Sequence, residues 1–99
     1  MMKEISTTDV LAKMNAGETL HLIDVRTPQE VAEGHIEGID NIPLHLLEAK
    51  LPDLNKQTPY ILVCRSSARS GQATQFLTDM GYDATNMVGG MLAWEGPVK

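Results

Sequence analysis

The sequence contains a single cysteine, Cys64, among its 99 residues. A lone cysteine cannot form an internal disulfide and offers no Cys-x-x-Cys pair for redox chemistry. The three histidines, His21, His35 and His45, are scattered along the chain and lack the clustered spacing of a structural zinc site. We therefore expect neither a bound metal nor any other cofactor.

Long apolar runs and an excess of positive charge are also missing. No apolar stretch approaches the ~20 residues that a membrane-spanning helix needs. The polar start, MMKEISTTDV, lacks the apolar segment of a secretory signal, which predicts a cytoplasmic location. The formal net charge of −5 leaves no basic face for nucleic acid or for an anionic membrane, so we expect neither as a partner.

The remaining composition is that of a small folded protein. Apolar residues make up 42% of the chain and charged residues 21%, and no segment is of low complexity. The length suits one compact core and leaves too little sequence for a second. We predict a single domain over residues 1–99.

Short apolar segments alternate with amphipathic ones, a pattern typical of the α/β class. We predict strands near residues 3–7, 19–25, 39–42, 60–64 and 83–88. We predict helices over 7–17, from Thr27 to about 33, over 44–51 and over 67–80, then a turn or short helix in 89–96. Strands joined by helices in this way predict a three-layer α/β/α fold with a mostly parallel, five-stranded sheet.

Cys64 lies at the end of a predicted strand, in the segment YILVCRSSARSGQ. Ligands of parallel sheets bind at the carboxyl ends of the strands. The backbone N–H groups in the first turn of the next helix have no partner within that helix, and with the helix dipole they form a site for negative charge. A thiol at such a site ionises more readily and becomes a nucleophile without a histidine base.

A lone cysteine at a strand end is usually a small buried apolar residue, so this interpretation is the alternative. Two of the three arginines and three serines follow within six positions: Arg65, Ser66, Ser67, Arg69 and Ser70. A thiol that serves only the core needs no such cluster of donors and cations. The composition of the loop therefore favours a reactive thiol.

Three segments of the sequence are similar to motifs of one protein family. The loop CRSSARSG resembles the active-site loop of rhodanese domains, the thiosulfate sulfurtransferases. LIDVRTPQEVAEGHIEGIDNIPL is similar to the N-terminal signature of that family, and MVGGMLAWEG to its C-terminal signature. The three segments occur in the order and spacing that the family has, and the resemblance implies a rhodanese-like fold.

The resemblance implies a reaction in two half-steps. The Cys64 thiolate would attack the outer sulfur of a donor such as thiosulfate and expel sulfite. The resulting persulfide would pass its sulfur to a thiophilic acceptor, either cyanide or a thiol, in a ping-pong sequence. Substrate would be held by the loop residues Arg65, Ser66, Ser67, Ala68 and Arg69, where backbone N–H groups bind the terminal sulfur and the two arginines attract the anionic donor.

Asp24 and Arg26 match the Asp-x-Arg of the N-terminal signature, and they are predicted to support the site together with the Ser70 hydroxyl. In one interpretation Asp24 orients a basic or loop group, and Arg26 lies near the mouth of the site. In the other, the two residues form a structural ion pair at the end of a strand.

The loop departs from the family pattern at its centre. Many loops of this type carry a glycine there, whereas this chain has Ser67 and Ala68. A residue with a Cβ resists a positive φ angle. We therefore expect a strained or differently curved loop.

Two other interpretations use the same fold. Phosphatases and arsenate reductases place five residues between cysteine and arginine, whereas only four separate Cys64 from Arg69, and Ser70 stands where a phosphatase has its arginine. A regulatory module without catalysis typically lacks the cysteine. A third interpretation, in which the domain is a persulfide carrier for a protein partner, stays open because the acceptor docks on features that the sequence does not reveal.

Overall fold

The computed structural model describes residues 2–99, and its centre is a five-stranded sheet. The strands are β1 (Lys3–Ser6), β2 (His21–Asp24), β3 (Asp40–Asn41), β4 (Tyr60–Val63) and β5 (Ala84–Val88). Their spatial order is β1-β5-β4-β2-β3, and all four pairings are parallel. The predicted sheet is confirmed, and among the described residues it is parallel throughout rather than mostly parallel.

Within residues 2–99, four α-helices and two 3-10 helices lie between and after the strands. The α-helices are α1 (Thr7–Asn15), α2 (Pro28–Ala32), α3 (Ala68–Asp79) and α4 (Gly90–Ala93). The helix predicted over residues 44–51 is present, but as two 3-10 helices at Leu44–Leu46 and Glu48–Asp53 rather than one continuous helix. Pro52 lies within the second one. In an α-helix its ring would clash with the carbonyl four residues earlier, so the chain takes the tighter turn.

Helices cover both faces of the sheet, as predicted. Successive side chains of a strand point to opposite faces, so β4 contributes to two separate cores. One buried cluster joins β4 to α3 and contains Tyr60, Leu62, Cys64, Ala73 and Leu77. The other joins β4 to α1 and to the C-terminal segment and contains Val10, Ile61, Val63 and Trp94. The three-layer arrangement is therefore confirmed.

The start of α2 is fixed by a capping box, which the sequence TPQE predicts. The Thr27 hydroxyl accepts a hydrogen bond from the Glu30 backbone N–H, and the Glu30 carboxylate accepts one from the Thr27 N–H. Pro28 occupies the first helical position, where no N–H is needed. The box holds the Glu30 side chain beside the carboxyl end of the sheet.

The parallel arrangement brings several strand ends to one edge. Asp24 of β2 and Val63 of β4 are register partners, so the residues that follow them are neighbours in space. Ligands of such sheets bind at this edge. None of the helices within residues 2–99 is long and apolar enough to cross a membrane.

Candidate active site

Cys64 directly follows β4, and only 1% of its surface is exposed. The chain then turns sharply into α3, which begins at Ala68. Ser67 makes this turn with a left-handed backbone, at φ 94° and ψ −7°. For a residue with a Cβ this conformation costs about 1–2 kcal/mol. The strain expected at the loop centre is confirmed at Ser67, whereas Ala68 is helical.

The strained turn brings hydrogen-bond donors to the cysteine sulfur. The Ser67 backbone N–H donates to Cys64 Sγ over 2.9 Å, and the Ser70 hydroxyl oxygen lies 3.2 Å from the same sulfur. Burial raises the pKa of the Cys64 thiol, but hydrogen bonds from the Ser70 hydroxyl and from the N–H groups of Ser70, Ser67 and Ser66 outweigh it and leave the pKa below its ordinary value. This direction agrees with the expectation from the sequence.

Helix α4 holds the loop from the other side. The Met91 N–H donates to the Cys64 carbonyl over 2.9 Å, and the Leu92 N–H donates to the Arg65 carbonyl over 3.0 Å. Gly90 makes this approach possible, since a Cβ at its position would lie 2.4 Å from the Arg65 carbonyl oxygen. The Gly-Gly pair of the C-terminal segment therefore fixes the backbone that carries the thiol.

Arg69 is bonded to a residue that the sequence did not connect with the site. Its Nη1 and Nη2 donate to Glu30 Oε1 and Oε2 over 2.7 and 2.8 Å, a bidentate ion pair. The hydrogen bonds from Arg69 hold the pKa of Glu30 at about 2 against an ordinary 4.5, and Glu30 in turn raises the pKa of Arg69. The Arg69 guanidinium is thus already engaged, and its predicted contact with substrate stays a prediction.

Asp24 and Arg26 form a buried ion pair at the end of β2. Arg26 Nε and Nη2 donate to the two carboxylate oxygens over 2.9 and 2.7 Å, and the Arg26 backbone N–H adds a third bond over 3.1 Å. Arg26 Nη2 also donates to the Gly34 carbonyl over 2.8 Å. The ion pair of the second interpretation is therefore present, and Arg26 also lines a cleft beside the loop, so a supporting role of the two residues in the site stays a prediction.

A small cleft of about 180 Å³ lies next to the loop. Arg65 lines it together with Arg26, Glu30, Met91 and Leu92. Arg65 is exposed, and within residues 2–99 its guanidinium takes part in none of the ion pairs. Of the three arginines, Arg65 is therefore the one whose charge is available at the mouth of the site.

A family model described as the Rhodanese-like domain matches residues 6–97. The chain belongs to the rhodanese family. The Bacillus subtilis (strain 168) protein YtwF is 42% identical over 98 residues, which are 99% of this chain and 95% of that relative. The thiosulfate sulfurtransferase PspE of Escherichia coli (strain K12) is 35% identical over 75 residues, 72% of this chain and 70% of the relative.

The crystal structure of a rhodanese-like domain protein from Staphylococcus aureus superimposes on this chain with a TM-score of 0.93. The two are 35% identical, and the match covers 99% of this chain and 97% of the other. The fold and the family assignment made from three sequence motifs are both confirmed.

Two residues of this rhodanese-like domain escaped the sequence-based prediction of its site. Glu30 was recognised only as a capping residue, although it also binds Arg69. Asn86 accepts a hydrogen bond from the Ser70 hydroxyl over 2.6 Å and is 4% exposed. A signal for Asn86 existed, because it is a polar residue inside β5, and a buried polar side chain needs a partner.

Proposed function

We propose that this rhodanese-like domain transfers a sulfane sulfur from thiosulfate to a thiophilic acceptor through a persulfide on Cys64. The observation that carries the proposal is the setting of the sulfur at the carboxyl edge of the sheet. Sγ accepts the Ser67 N–H over 2.9 Å and lies 3.2 Å from the Ser70 hydroxyl. These donors favour the thiolate, which is the nucleophilic form of cysteine.

The first half-reaction is a displacement at sulfur. The Cys64 thiolate attacks the outer sulfur of thiosulfate, and a new S–S bond forms. The S–S bond of thiosulfate breaks, and sulfite leaves with the electron pair of that bond. The reaction needs no external oxidant, because the oxidation state of the transferred sulfur is kept.

The second half-reaction returns the free enzyme. A nucleophilic acceptor, either cyanide or a thiolate, attacks the terminal sulfur of the persulfide, and Cys64 leaves as a thiolate. The donors around Sγ serve both steps, because each of them ends or begins with negative charge on sulfur. The covalent intermediate makes the kinetics ping-pong.

Arg65 supports an anionic donor. It is exposed beside the cysteine and lines the cleft with no ion-pair partner among residues 2–99. Arg69 is bonded to Glu30, so its charge is largely compensated. The name of the relative PspE, a thiosulfate sulfurtransferase, is consistent with thiosulfate as the donor.

A phosphatase activity has less support. The loop places four residues between Cys64 and Arg69, Ser70 stands where a phosphatase has its arginine, and the Arg69 guanidinium is paired with the Glu30 carboxylate. The same second step accepts a protein thiol as acceptor, since an acceptor thiolate needs only to reach the terminal sulfur of the persulfide.

Mass spectrometry of the intact protein tests the proposal. After incubation with thiosulfate, the protein should gain the mass of one sulfur atom on Cys64, and cyanide should remove it with release of thiocyanate. Because Cys64 is the one cysteine of the chain, Cys64→Ser is a complete control for thiol chemistry. The proposal fails if wild-type protein gains no mass, or if it releases no more thiocyanate than this control.

A further inference from the structure

The Ser70 hydroxyl has more hydrogen-bond partners than it has protons. Its oxygen lies 2.6 Å from Asn86 Oδ1, 3.2 Å from the Ser67 carbonyl and 3.2 Å from Cys64 Sγ. The first two partners only accept, and a hydroxyl has one proton to donate. The shortest of these contacts places that proton on the side of Asn86.

In this orientation of the hydroxyl, Sγ keeps the Ser67 N–H as a donor but receives no proton from Ser70. With its proton directed at Asn86, Ser70 presents a lone pair to Sγ, which can accept the S–H of Cys64. Once Cys64 is ionised, a second donor stabilises the sulfur further, and the hydroxyl supplies it by turning its proton toward Sγ. The Ser70 oxygen would then face Asn86 Oδ1 with lone pairs on both atoms.

We propose that Asn86 is a positioning residue that directs the Ser70 hydroxyl toward Cys64 when the sulfur is negatively charged. A rotation of the side-chain amide by half a turn replaces Oδ1 with the Nδ2 group, which donates to the Ser70 oxygen. Ser70 then donates to Sγ, and a chain of two hydrogen bonds runs from Asn86 to the sulfur. An amide suits this position because it carries both a donor and an acceptor.

The surroundings of Asn86 allow this exchange. The residue lies in β5 opposite Leu62 of β4 and is 4% exposed. A Cβ added at Gly71 would lie 3.6 Å from Nδ2, so the amide faces the backbone of α3 at ordinary contact distance. None of the hydrogen bonds between described residues uses Nδ2, so the bond to Ser70 is the one bond within residues 2–99 that rotation breaks.

The charged groups around Cys64 are not altered by changes at Asn86. Arg69 from α3 is paired with Glu30 from α2. Asp24 from β2 is paired with Arg26, and Arg65 adjoins the cysteine in the loop. A change in thiol reactivity on substitution of Asn86 thus reports on the hydrogen-bond chain.

The inference rests on the proposed function only in taking Cys64 as the nucleophile. At the start of the first half-reaction and at the end of the second, Sγ carries the negative charge of the thiolate, which the Ser70 proton stabilises. A chain that supplies this proton on demand lowers the free energy of the thiolate. Two hydrogen bonds in series also polarise each other and strengthen the last one.

The pH dependence of iodoacetamide alkylation of Cys64 is the test. We expect Asn86→Leu to raise the pH midpoint of the reactive thiolate and to slow alkylation at pH 7 by about twofold to tenfold, the value of one hydrogen bond. Asn86→Asp should have a larger effect, because a carboxylate accepts the Ser70 proton and adds negative charge. In a Ser70→Ala background, Asn86→Leu should change nothing further.

Thr74→Val is the matched control. The Thr74 hydroxyl is buried and donates to the Ser70 backbone carbonyl over 2.7 Å, so this variant disturbs the same part of α3 and leaves the Ser70 hydroxyl intact. Its midpoint should equal that of the wild type. The inference is wrong if folded Asn86→Leu and Asn86→Asp keep the wild-type midpoint. It is also wrong if Asn86→Leu shifts the midpoint by the same amount in the Ser70→Ala background as in the wild-type background. The readout needs only the thiol, so it is independent of whether sulfur transfer is observed.

Discussion

An ionisable side chain lies at the carboxyl end of each of the neighbouring strands β2 and β4, and the two side chains have different hydrogen-bond donors. Asp24 closes β2, and Cys64 follows β4 one position beyond the partner of Asp24. Asp24 is neutralised by the guanidinium of Arg26 and by its backbone N–H. Cys64 receives a backbone N–H and a hydroxyl, both of them uncharged donors.

This difference separates a fixed group from a reactive one. The carboxylate of Asp24 is fully buried, and three N–H donors of one residue occupy its two oxygens. Such a pair cannot exchange partners without leaving a buried charge alone. The uncharged donors at Cys64 stabilise negative charge on sulfur without locking it in an ion pair, so the sulfur keeps lone pairs for attack.

The largest effect is expected from breaking the pair at the end of β2. Asp24→Ala leaves the Arg26 guanidinium, which is 6% exposed, without its counter-charge. The free energy of unfolding should fall by about 3–5 kcal/mol, as it does when one partner of a buried pair is removed. Urea unfolding followed by circular dichroism measures this.

The double variant Asp24→Leu with Arg26→Met is the matched comparison. It removes both charges and keeps apolar volume, so we expect it to be more stable than Asp24→Ala. An exposed ion pair contributes no more than about 1 kcal/mol. If the unfolding free energy of Asp24→Ala lies within that range of the wild-type value, the pair between Asp24 and Arg26 does not stabilise the fold as a buried pair would.

An intermediate effect is expected where α4 supports the end of β4. Gly90→Ala adds a Cβ 2.4 Å from the Arg65 carbonyl oxygen, at a φ of +58°. We expect an unfolding free energy lower by about 2–4 kcal/mol, from overpacking and from the left-handed backbone together. The midpoint of Cys64 alkylation should shift as well, because α4 holds the cysteine carbonyl.

The variant Gly17→Ala separates the effect of overpacking from that of the left-handed backbone. Gly17 also has a positive φ, +82°, but a Cβ there meets nothing within 4 Å. This variant should lose only about 1–2 kcal/mol and leave the thiol unchanged. Equal losses of stability in the two variants, with an unchanged thiol in both, would mean that α4 does not position the loop.

The sequence was sufficient for the fold and for the location of the thiol, because both depend on local patterns. Apolar segments, the capping box of α2 and strain at the centre of the loop were predictable from neighbouring residues, although the sequence did not decide between Ser67 and Ala68 as the strained residue. The helix predicted over 44–51 was found, but its 3-10 geometry was not predicted. Pro52 lies inside the 3-10 helix Glu48–Asp53 and disfavours an α-helix there.

The contacts between distant segments were not predictable in the same way. Glu30 and Arg69 are 39 positions apart, and Ser70 and Asn86 are 16 apart. Each pair meets because of strand order and register, which composition does not specify. The sequence therefore identified the cations of the loop but not the carboxylate that engages one of them.

The smallest effect is expected at the ion pair between Glu30 and Arg69, which is more exposed than either strand end. The side chains are 26% and 34% exposed. Glu30→Gln keeps the capping box, since glutamine also accepts from the Thr27 N–H, and removes only the charge. We expect a loss of about 1 kcal/mol at neutral pH, because solvent screens a pair this exposed.

The dependence of this loss on pH tests its cause. Arg69 lowers the pKa of Glu30 from 4.5 to about 2, so the stabilisation is complete above pH 4.5 and disappears as the pH falls toward 2. Unfolding free energies of the wild type and Glu30→Gln should therefore converge over that interval. Glu33 is an exposed residue just after α2 and joins none of the ion pairs within residues 2–99, so Glu33→Gln is the matched control. The difference in unfolding free energy between Glu33→Gln and the wild type should not change over that interval. A difference between Glu30→Gln and the wild type that stays constant down to pH 2 would assign the loss to the cap rather than to Arg69.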